Sequence, residues 1–457
     1  MSETSVLKMG TSLRRVLRNS SWLMAAQVLA GALMFAQTIV VTRSLGVTAY
    51  GTFAIATTVV MSVIQICDCR VWEALIAFAP RYRAQGEPAK SIATLQLCLA
   101  VELVSGTLAW GAVVAVADIA SRVLFPTDEI AGSIRMLGIL ALVKFPHEPL
   151  TALLRIENRF HWQASYRLAL AVLRMLAAAI VCSVSPSIDN LLIAEIASHL
   201  VGSVFLLVLG NSTVRSLGFS LWDLSTMPSL WSDVPKILRF MLYSSIAGNT
   251  RMITTKADVL LLGLFSSPAV VGGYDLAKKV ADGLASMATP LYMAIFPEIS
   301  KHVAAASFDE TRELQRGLTK LVLWGGIPSC AVATALAPTL IDLGFGTGYQ
   351  ESGLLLQILV WQLLATCMAW VPGYLLALGM AGTQTLLVAC DALIYLLLLA
   401  ALIPTLGNVG AAIATTGRVV VWMTMASCVL RRLHQPHPSD SPLHSDTTPK
   451  GEQKLIR

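Results

Sequence analysis

The chain has 457 residues, of which 55% are apolar and 13% charged, with a formal charge of +6, a pI near 8.9 and a mean hydropathy of +0.69. Soluble domains carry roughly a quarter charged residues, so this composition excludes a water-soluble globular protein. Apolar runs of at least about 18 residues recur from Ser20 to Leu430, long enough to cross roughly 30 Å of hydrocarbon as helices and unlike the short alternating strands of a barrel.

Residues 1–19 are polar and basic, with Arg14, Arg15 and Arg18. The apolar run that follows continues past Ala30-Gly31-Ala32 to Val41, too long for a signal-peptide core, which predicts a cytoplasmic segment followed by an uncleaved first span. The predicted helices are 20–42, 51–79, 91–117, 131–154, 165–184, 189–210, 236–263, 273–297, 320–343, 354–378, 383–403 and 409–431. They group into an N-terminal six-helix lobe (20–210), a cytoplasmic connection (211–235) bearing Trp222 and Trp231, and a C-terminal six-helix lobe (236–431). The Pro/Ser-rich tail, 432–457, reads as disordered.

With the N-terminus inside, the internal loops hold Arg81, Arg83, Lys90, Arg155, Arg159, Arg167, Arg215, Lys236, Arg239, Lys301, Arg312, Arg316 and Lys320, and Arg431 and Arg432 follow the last helix. The opposite loops hold little beyond Arg43, Arg122 and Arg135. That asymmetry predicts both termini in the cytoplasm. The halves also repeat: Gly51-Thr52-Phe53 aligns with Gly272-Gly273-Tyr274 at an offset of 272 − 51 = 221, and the same offset pairs Ile39-Val40-Val41 with Leu260-Leu261-Leu262. Six helices separate the copies, so they are parallel repeats, as in transporters whose substrate lies between two lobes.

The chain has no G-x-x-x-x-G-K-[ST], H-E-x-x-H or G-x-S-x-G motif, so ATP hydrolysis, metal hydrolysis and nucleophile-elbow chemistry are not expected, nor are a cofactor, a metal or a nucleic-acid partner. The eight cysteines lie almost entirely in apolar segments without C-x-x-C spacing and read as small buried hydrophobes. The informative residues are charges inside apolar helices, which face a cavity or a partner because charge is expensive in hydrocarbon. Helix two carries Asp68, Arg70 and Glu73, the last two spaced to pair. Helix four carries Lys144, His147 and Glu148 between Pro146 and Pro149, where a kink is expected.

Arg174 lies near the centre of helix five without a local partner, and so needs an acid from elsewhere or an anionic ligand. Arg251, Thr255 and Asp258 line one face of helix seven with Lys256 beside it, and Asp275, Lys278, Lys279 and Asp282 form one stripe of helix eight. Glu102, Glu195 with His199, Asp391 and Arg418 complete a mixed-charge interior. Arg174, Arg251 and Lys256 suit a diphosphate, with Lys278, Lys279, Arg70 and Lys144 as further candidates. Asp68, Glu102, Asp258 and Asp391 are candidates for a coupling H⁺ or Na⁺. Acid–base pairing between helices accounts for the same residues.

Thr42-Arg43-Ser44-Leu45-Gly46 followed by Ala49-Tyr50-Gly51-Thr52-Phe53, then Lys256-Ala257-Asp258-Val259-Leu260-Leu261-Leu262-Gly263, Val271-Gly272-Gly273-Tyr274-Asp275-Leu276-Ala277-Lys278-Lys279 and Phe296-Pro297-Glu298-Ile299-Ser300, and last Leu406-Gly407-Asn408-Val409-Gly410-Ala411-Ala412-Ile413-Ala414, recur in this order. Together they resemble the polysaccharide-biosynthesis flippases of the multidrug, oligosaccharidyl-lipid and polysaccharide exporter superfamily, which translocate lipid-linked O-antigen and exopolysaccharide units. The resemblance implies an all-α fold of two six-helix lobes around a central cavity that opens alternately to the two sides of a bacterial inner membrane. It also implies a polyprenyl-diphosphate-linked glycan as substrate, membrane lipids around it, and polysaccharide polymerase and chain-length or export proteins as partners. The other readings are cation-coupled drug export, which favours a more acidic and aromatic cavity, a membrane-bound enzyme, and a non-transport subunit of an assembly complex.

Overall fold

The computed structural model describes residues 3–124, 128–286, 308–368, 370–378 and 380–433. These form thirteen helices joined by short turns and 3-10 segments, with no strand among the described residues: α1 (Glu3–Cys67), α2 (Val71–Ala84), α3 (Pro88–Leu124), α4 (Asp128–Val143), α5 (His147–Ile156), α6 (Phe160–Val184), α7 (Ile188–Arg215), α8 (Val234–Phe265), α9 (Pro268–Ser286), α10 (Phe308–Phe345), α11 (Gln350–Leu359), α12 (Val371–Ala377) and α13 (Ala381–Leu433). The end of the predicted helix 273–297, the Phe296–Ser300 motif, Lys301 and most of the tail lie outside the described residues.

A helix of 65 residues rising about 1.5 Å per residue is about three times the thickness of a hydrocarbon core, so α1 cannot be one span. It reverses at Gly46, whose φ of 76° falls in the region that only glycine adopts cheaply, and this is the hairpin predicted between the first two spans. The 53-residue α13 reverses in the same way at Gly407, φ 57°. Seven stretches of the described residues are long and apolar enough to cross a membrane, and two of them, Ala25–Ala84 and Gly382–Arg431, each hold two spans. The remaining predicted spans correspond to α8, α9 and the 350–378 segment, which carry embedded charge or interrupted helix.

Three expected helices are interrupted. The second span, predicted continuous from 51 to 79, breaks at 68–70, where Asp68 Oδ1 accepts a hydrogen bond from the Arg70 amide at 2.7 Å and Arg70 takes a left-handed φ of 48°. A short side chain that bonds its own downstream amide competes with the helical ladder, and the Ser245 hydroxyl of α8 donates to the Asp68 carbonyl that the break releases. The fourth span breaks at 144–146, as its prolines predict, and the Ser203 hydroxyl donates to the Val143 carbonyl at 2.6 Å. The predicted 354–378 helix becomes α11, a 3-10 segment (Val360–Met368) and α12. Pro372 lacks an amide there, and the Thr416 hydroxyl donates to the Ile358 carbonyl at 2.9 Å.

The halves meet where the repeat places its two glycines. A Cβ on Gly51 would stand 1.7 Å from the Pro268 carbonyl oxygen, and one on Gly272 would stand 2.8 Å from the Gly51 Cα, so the backbones of α1 and α9 touch through positions 221 residues apart. Around this contact lies a core that includes Tyr50, Val271, Tyr274, Leu359 and Tyr395. Arg43 ties the same end of α1 to α10 through the carbonyls of Leu343 and Gly344.

A second core gathers α2, α3, α5 and α7 with the first turns of α8, in which Phe78 and Phe240 meet edge to face at 5.5 Å. The connection between α7 and α8 is fastened by Gln96 of α3, whose amide donates to the Leu221 and Asp223 carbonyls and accepts from Thr226. Asp223 caps the 3-10 turn that follows, and the hydrogen bonds it accepts from Ser225 hold its carboxyl below the usual range. The cap is therefore present at neutral pH and is lost as pH falls through that lowered value. Trp222 and Trp231 are exposed beside it.

Gly51→Ala and Gly272→Ala should each destabilise the protein by about 1–3 kcal/mol through forced separation of the two backbones. Gly132→Ala, whose methyl meets nothing within 4 Å, should be neutral or slightly stabilising. Thermal denaturation of the purified protein in nanodiscs checks the contrast.

Candidate functional site

Ten of the charges that the sequence places inside the spans form ion pairs, three of these pairs between helices or spans and two within one helix. In the N-terminal half, Arg174 of α6 binds Glu195 of α7 with two nitrogens, Nε to Oε2 at 3.0 Å and a terminal nitrogen to Oε1 at 2.7 Å. The acid that Arg174 required thus comes from the next helix in the chain. Glu195 also approaches His199 Nε2 at 3.4 Å, the expected i,i+4 contact. His147 lies against the Ser203 hydroxyl and the Tyr166 hydroxyl, each at 3.0 Å, and its ring centre is 5.6 Å from that of His199.

The breaks in the second and fourth spans bring further charge together. Arg70 pairs with Glu73 at 2.5 Å, and the Arg70 and Arg155 guanidinium carbons stand 5.5 and 5.8 Å from the centre of the Trp72 ring. Asp68 is committed to the Arg70 amide. Glu102 of α3 has one carboxylate oxygen buried without a hydrogen-bond partner among the described residues. The Lys144 ammonium makes no hydrogen bond or ion pair with any described residue. The Lys144–Glu148 contact offered by the i,i+4 spacing does not form, because the break places the two on different elements. Arg174, Glu148, Glu195 and Glu102 lie within electrostatic reach of Lys144.

In the C-terminal half, the fully buried Asp258 forms an ion pair with Lys278 and accepts a hydrogen bond from the Tyr274 hydroxyl at 2.6 Å, while Lys278 also donates to the Thr255 carbonyl at 2.9 Å. The Thr415 hydroxyl meets the hydroxyls of Tyr274 and Tyr395, each at 3.0 Å, and Arg418 lies 5.1 Å over the Tyr395 ring while bonding Asp391 at 3.0 Å. This chain of contacts links α8, α9 and both spans of α13. Lys279 pairs with Asp275 at 2.7 Å, and Tyr50 of the other half donates to Asp275 and accepts from Lys279, both at 3.0 Å.

The structure therefore sorts the sequence candidates. Arg70, Arg174, Lys278 and Lys279 are held by acids, as are Asp258 and Asp391 by bases. The side chains of Lys144 and Lys256, one in each half, make no hydrogen bond or ion pair among the described residues, and Lys256 has Asp275, Lys278 and Lys279 as electrostatic neighbours. Arg251 sits within α8, and its side chain falls outside the described residues. No cluster of three or more His, Cys, Asp or Glu among the described residues could hold a metal ion. The sequence reading missed Tyr50, Tyr274, Tyr395 and Thr415, which look like ordinary members of apolar helices until their hydroxyls are seen to converge on charge.

Removing one member of a buried pair leaves its partner uncompensated, at a cost of about 3–5 kcal/mol, whereas removing both is often neutral. Glu195→Leu should therefore lower the thermal midpoint markedly, and Arg174→Leu/Glu195→Leu should recover most of the loss.

A family model described as "Polysaccharide biosynthesis protein" matches residues 85–353. A protein named as an O-antigen transporter in Escherichia coli (strain K12) is 29% identical over 101 residues, 22% of this chain and 24% of that protein. One named as the flippase AglR in Haloferax volcanii is 24% identical over 314 residues, 66% of this chain and 62% of that protein. The match to each relative spans less than two thirds of its length. Among solved structures, an inward-facing multidrug resistance MATE family transporter of the MOP superfamily superposes with a TM-score of 0.72 at 14% identity, covering 88% of this chain and 95% of that one. The lipid II flippase MurJ in an inward closed conformation superposes at 0.69 with 13% identity, covering 90% and 87%. These structures share the all-helical transporter fold.

Proposed function

The chain belongs to the polysaccharide biosynthesis protein family, and from that premise we propose that it carries a polyprenyl-diphosphate-linked oligosaccharide from the cytoplasmic to the periplasmic leaflet of a bacterial inner membrane by alternating access. The observation that carries this reading is the positive charge left after pairing: the side chains of Lys144 and Lys256, in opposite halves, have no hydrogen-bond or ion-pair partner among the described residues. A lysine ammonium is a compact point charge that suits a phosphate oxygen, and two such groups match the two phosphates of a diphosphate. The names of the matched relatives, an O-antigen transporter and a flippase, agree with this chemistry.

In this reading both termini are cytoplasmic, following the distribution of Lys and Arg. The end of the molecule sealed by Gly51, Gly272 and the Tyr50–Asp275–Lys279 contact then faces the periplasm. The lipid-linked glycan enters between the halves from the cytoplasmic side with its polyprenyl chain left in lipid, and release follows when the sealed end parts. Substrate shifts the balance between the two states only through a difference in affinity for them. A polymerase and chain-length or export proteins act on the delivered unit, and an H⁺ or Na⁺ gradient supplies direction.

Reconstitution with a fluorescent polyprenyl-diphosphate oligosaccharide tests the reading by leaflet transfer. A hydrogen bond to a charged group contributes about 1.5–3 kcal/mol, so Lys144→Ala and Lys256→Ala should each slow transfer at limiting substrate by about tenfold or more. Export of lipophilic organic cations without glycan transfer would instead favour a drug exporter.

A further inference from the structure

His199 is 7% exposed, and its two ring nitrogens are treated unequally. Nε2 faces Glu195 Oε1 at 3.4 Å, while Nδ1 is buried without a hydrogen-bond partner among the described residues. A neutral imidazole carries one N–H and one bare nitrogen. With the N–H directed at Glu195, the bare atom is Nδ1, and a buried polar atom left unsatisfied calls for an explanation. Glu195 is itself fixed by both oxygens on Arg174. We propose that the Glu195–His199 pair, oriented by Arg174, is a proton-binding site whose filling and emptying couples the two conformations of the transporter to a transmembrane proton gradient.

The charged and titratable groups around the ring come from each element packed on α7. From α6 come Arg174 and Tyr166, the latter engaged with His147. From the α4–α5 break come Lys144 and His147, with Glu148 and Arg155 further along α5. Arg135 of α4 is paired with Asp118, and Arg43, the charged group among the described side chains of α1, is bound to the Leu343 and Gly344 carbonyls. A proton arriving from water adds to Nδ1 and turns imidazole into imidazolium; no other bond changes. In the conformation described here that new N–H has no acceptor, so protonation favours a second arrangement that gives it one. A charged His199 also competes with Arg174 for Glu195, which loosens α6 on α7. Since α6 packs along α1, the effect reaches the helix that carries Gly51.

The coupling part of this inference rests on the flippase reading, but the proton site can be read without transport. His199-Leu200 is the single His-Leu step in the chain. Labelling the backbone of histidine and leucine, with nitrogen-15 also in the histidine ring, therefore isolates this residue by solid-state NMR of the natural protein in bilayers. Between alkaline and acidic pH one bare ring nitrogen should become protonated; a His199 ring that keeps a bare nitrogen down to pH 4 would overturn the proposal. In proteoliposomes, a one-proton exchange biases the steady-state leaflet distribution of the glycan by up to about tenfold per imposed pH unit. His199→Gln should leave that distribution even, and a variant that retains the full bias would equally refute the site. Absence of glycan transfer in the wild type would count against the flippase reading, while the NMR titration would still decide the proton site.

Discussion

Arg174 sits in a helix with hydrocarbon on one side and protein on the other, and both oxygens of Glu195 hold it there. The same solution recurs wherever charge is embedded: Lys278 on Asp258, Lys279 on Asp275, Arg418 on Asp391 and Arg70 on Glu73. Arg174–Glu195, Lys278–Asp258 and Arg418–Asp391 bridge separate helices or spans, so there neutralising the charge also fixes helix against helix, while Lys279–Asp275 and Arg70–Glu73 brace turns of one helix. The interior is consequently polar without being strongly charged. Among the described side chains the pairs leave over the cations Lys144 and Lys256, with Glu102 and Glu148 near Lys144, and in the proposed reading a diphosphate is recognised by the two lysines.

The proposed alternating access sets a second constraint, that the two halves part and rejoin. Permanent interdigitation of large side chains would resist that motion, whereas the Gly51–Gly272 contact presents backbone to backbone. The polar contact beside it joins Tyr50 to Asp275 and Lys279, and in the proposed reading it gives way to water when that end opens. At the other level of the membrane, the breaks at 68–70 and 144–146 expose backbone groups that Ser245 and Ser203 satisfy. Irregular backbone within membrane spans is tolerated where protein or a water-filled cavity surrounds it, and both breaks lie near Glu102 and Lys144, whose side chains lack a full set of partners among the described residues.

The fold was largely legible because membrane solvation imposes length and apolarity on each span, and the hairpin at Gly46 and the reversal at Gly407 follow from glycines at the expected boundaries. The kink near Pro146 was readable from proline chemistry. The break at Asp68-Cys69-Arg70 was not, since an aspartate that bonds its own downstream amide looks in sequence like one more embedded acid. The site was harder for a related reason. Spacing along a helix predicts i,i+3 and i,i+4 neighbours, and so found Arg70–Glu73 and Glu195–His199, but the partners of Arg174 and Lys278 come from adjacent helices. It also overestimated Lys144–Glu148, which fails where the helix between them is broken.

The central claim is that unpaired lysines in opposite halves recognise the two phosphates of a lipid carrier. Equilibrium titration of the protein in nanodiscs with a polyprenyl diphosphate, the matching monophosphate and the uncharged polyprenol tests it most directly. The account predicts that affinity falls in that order and that the preference for the diphosphate weakens with added salt, while equal affinity for the uncharged polyprenol would contradict it.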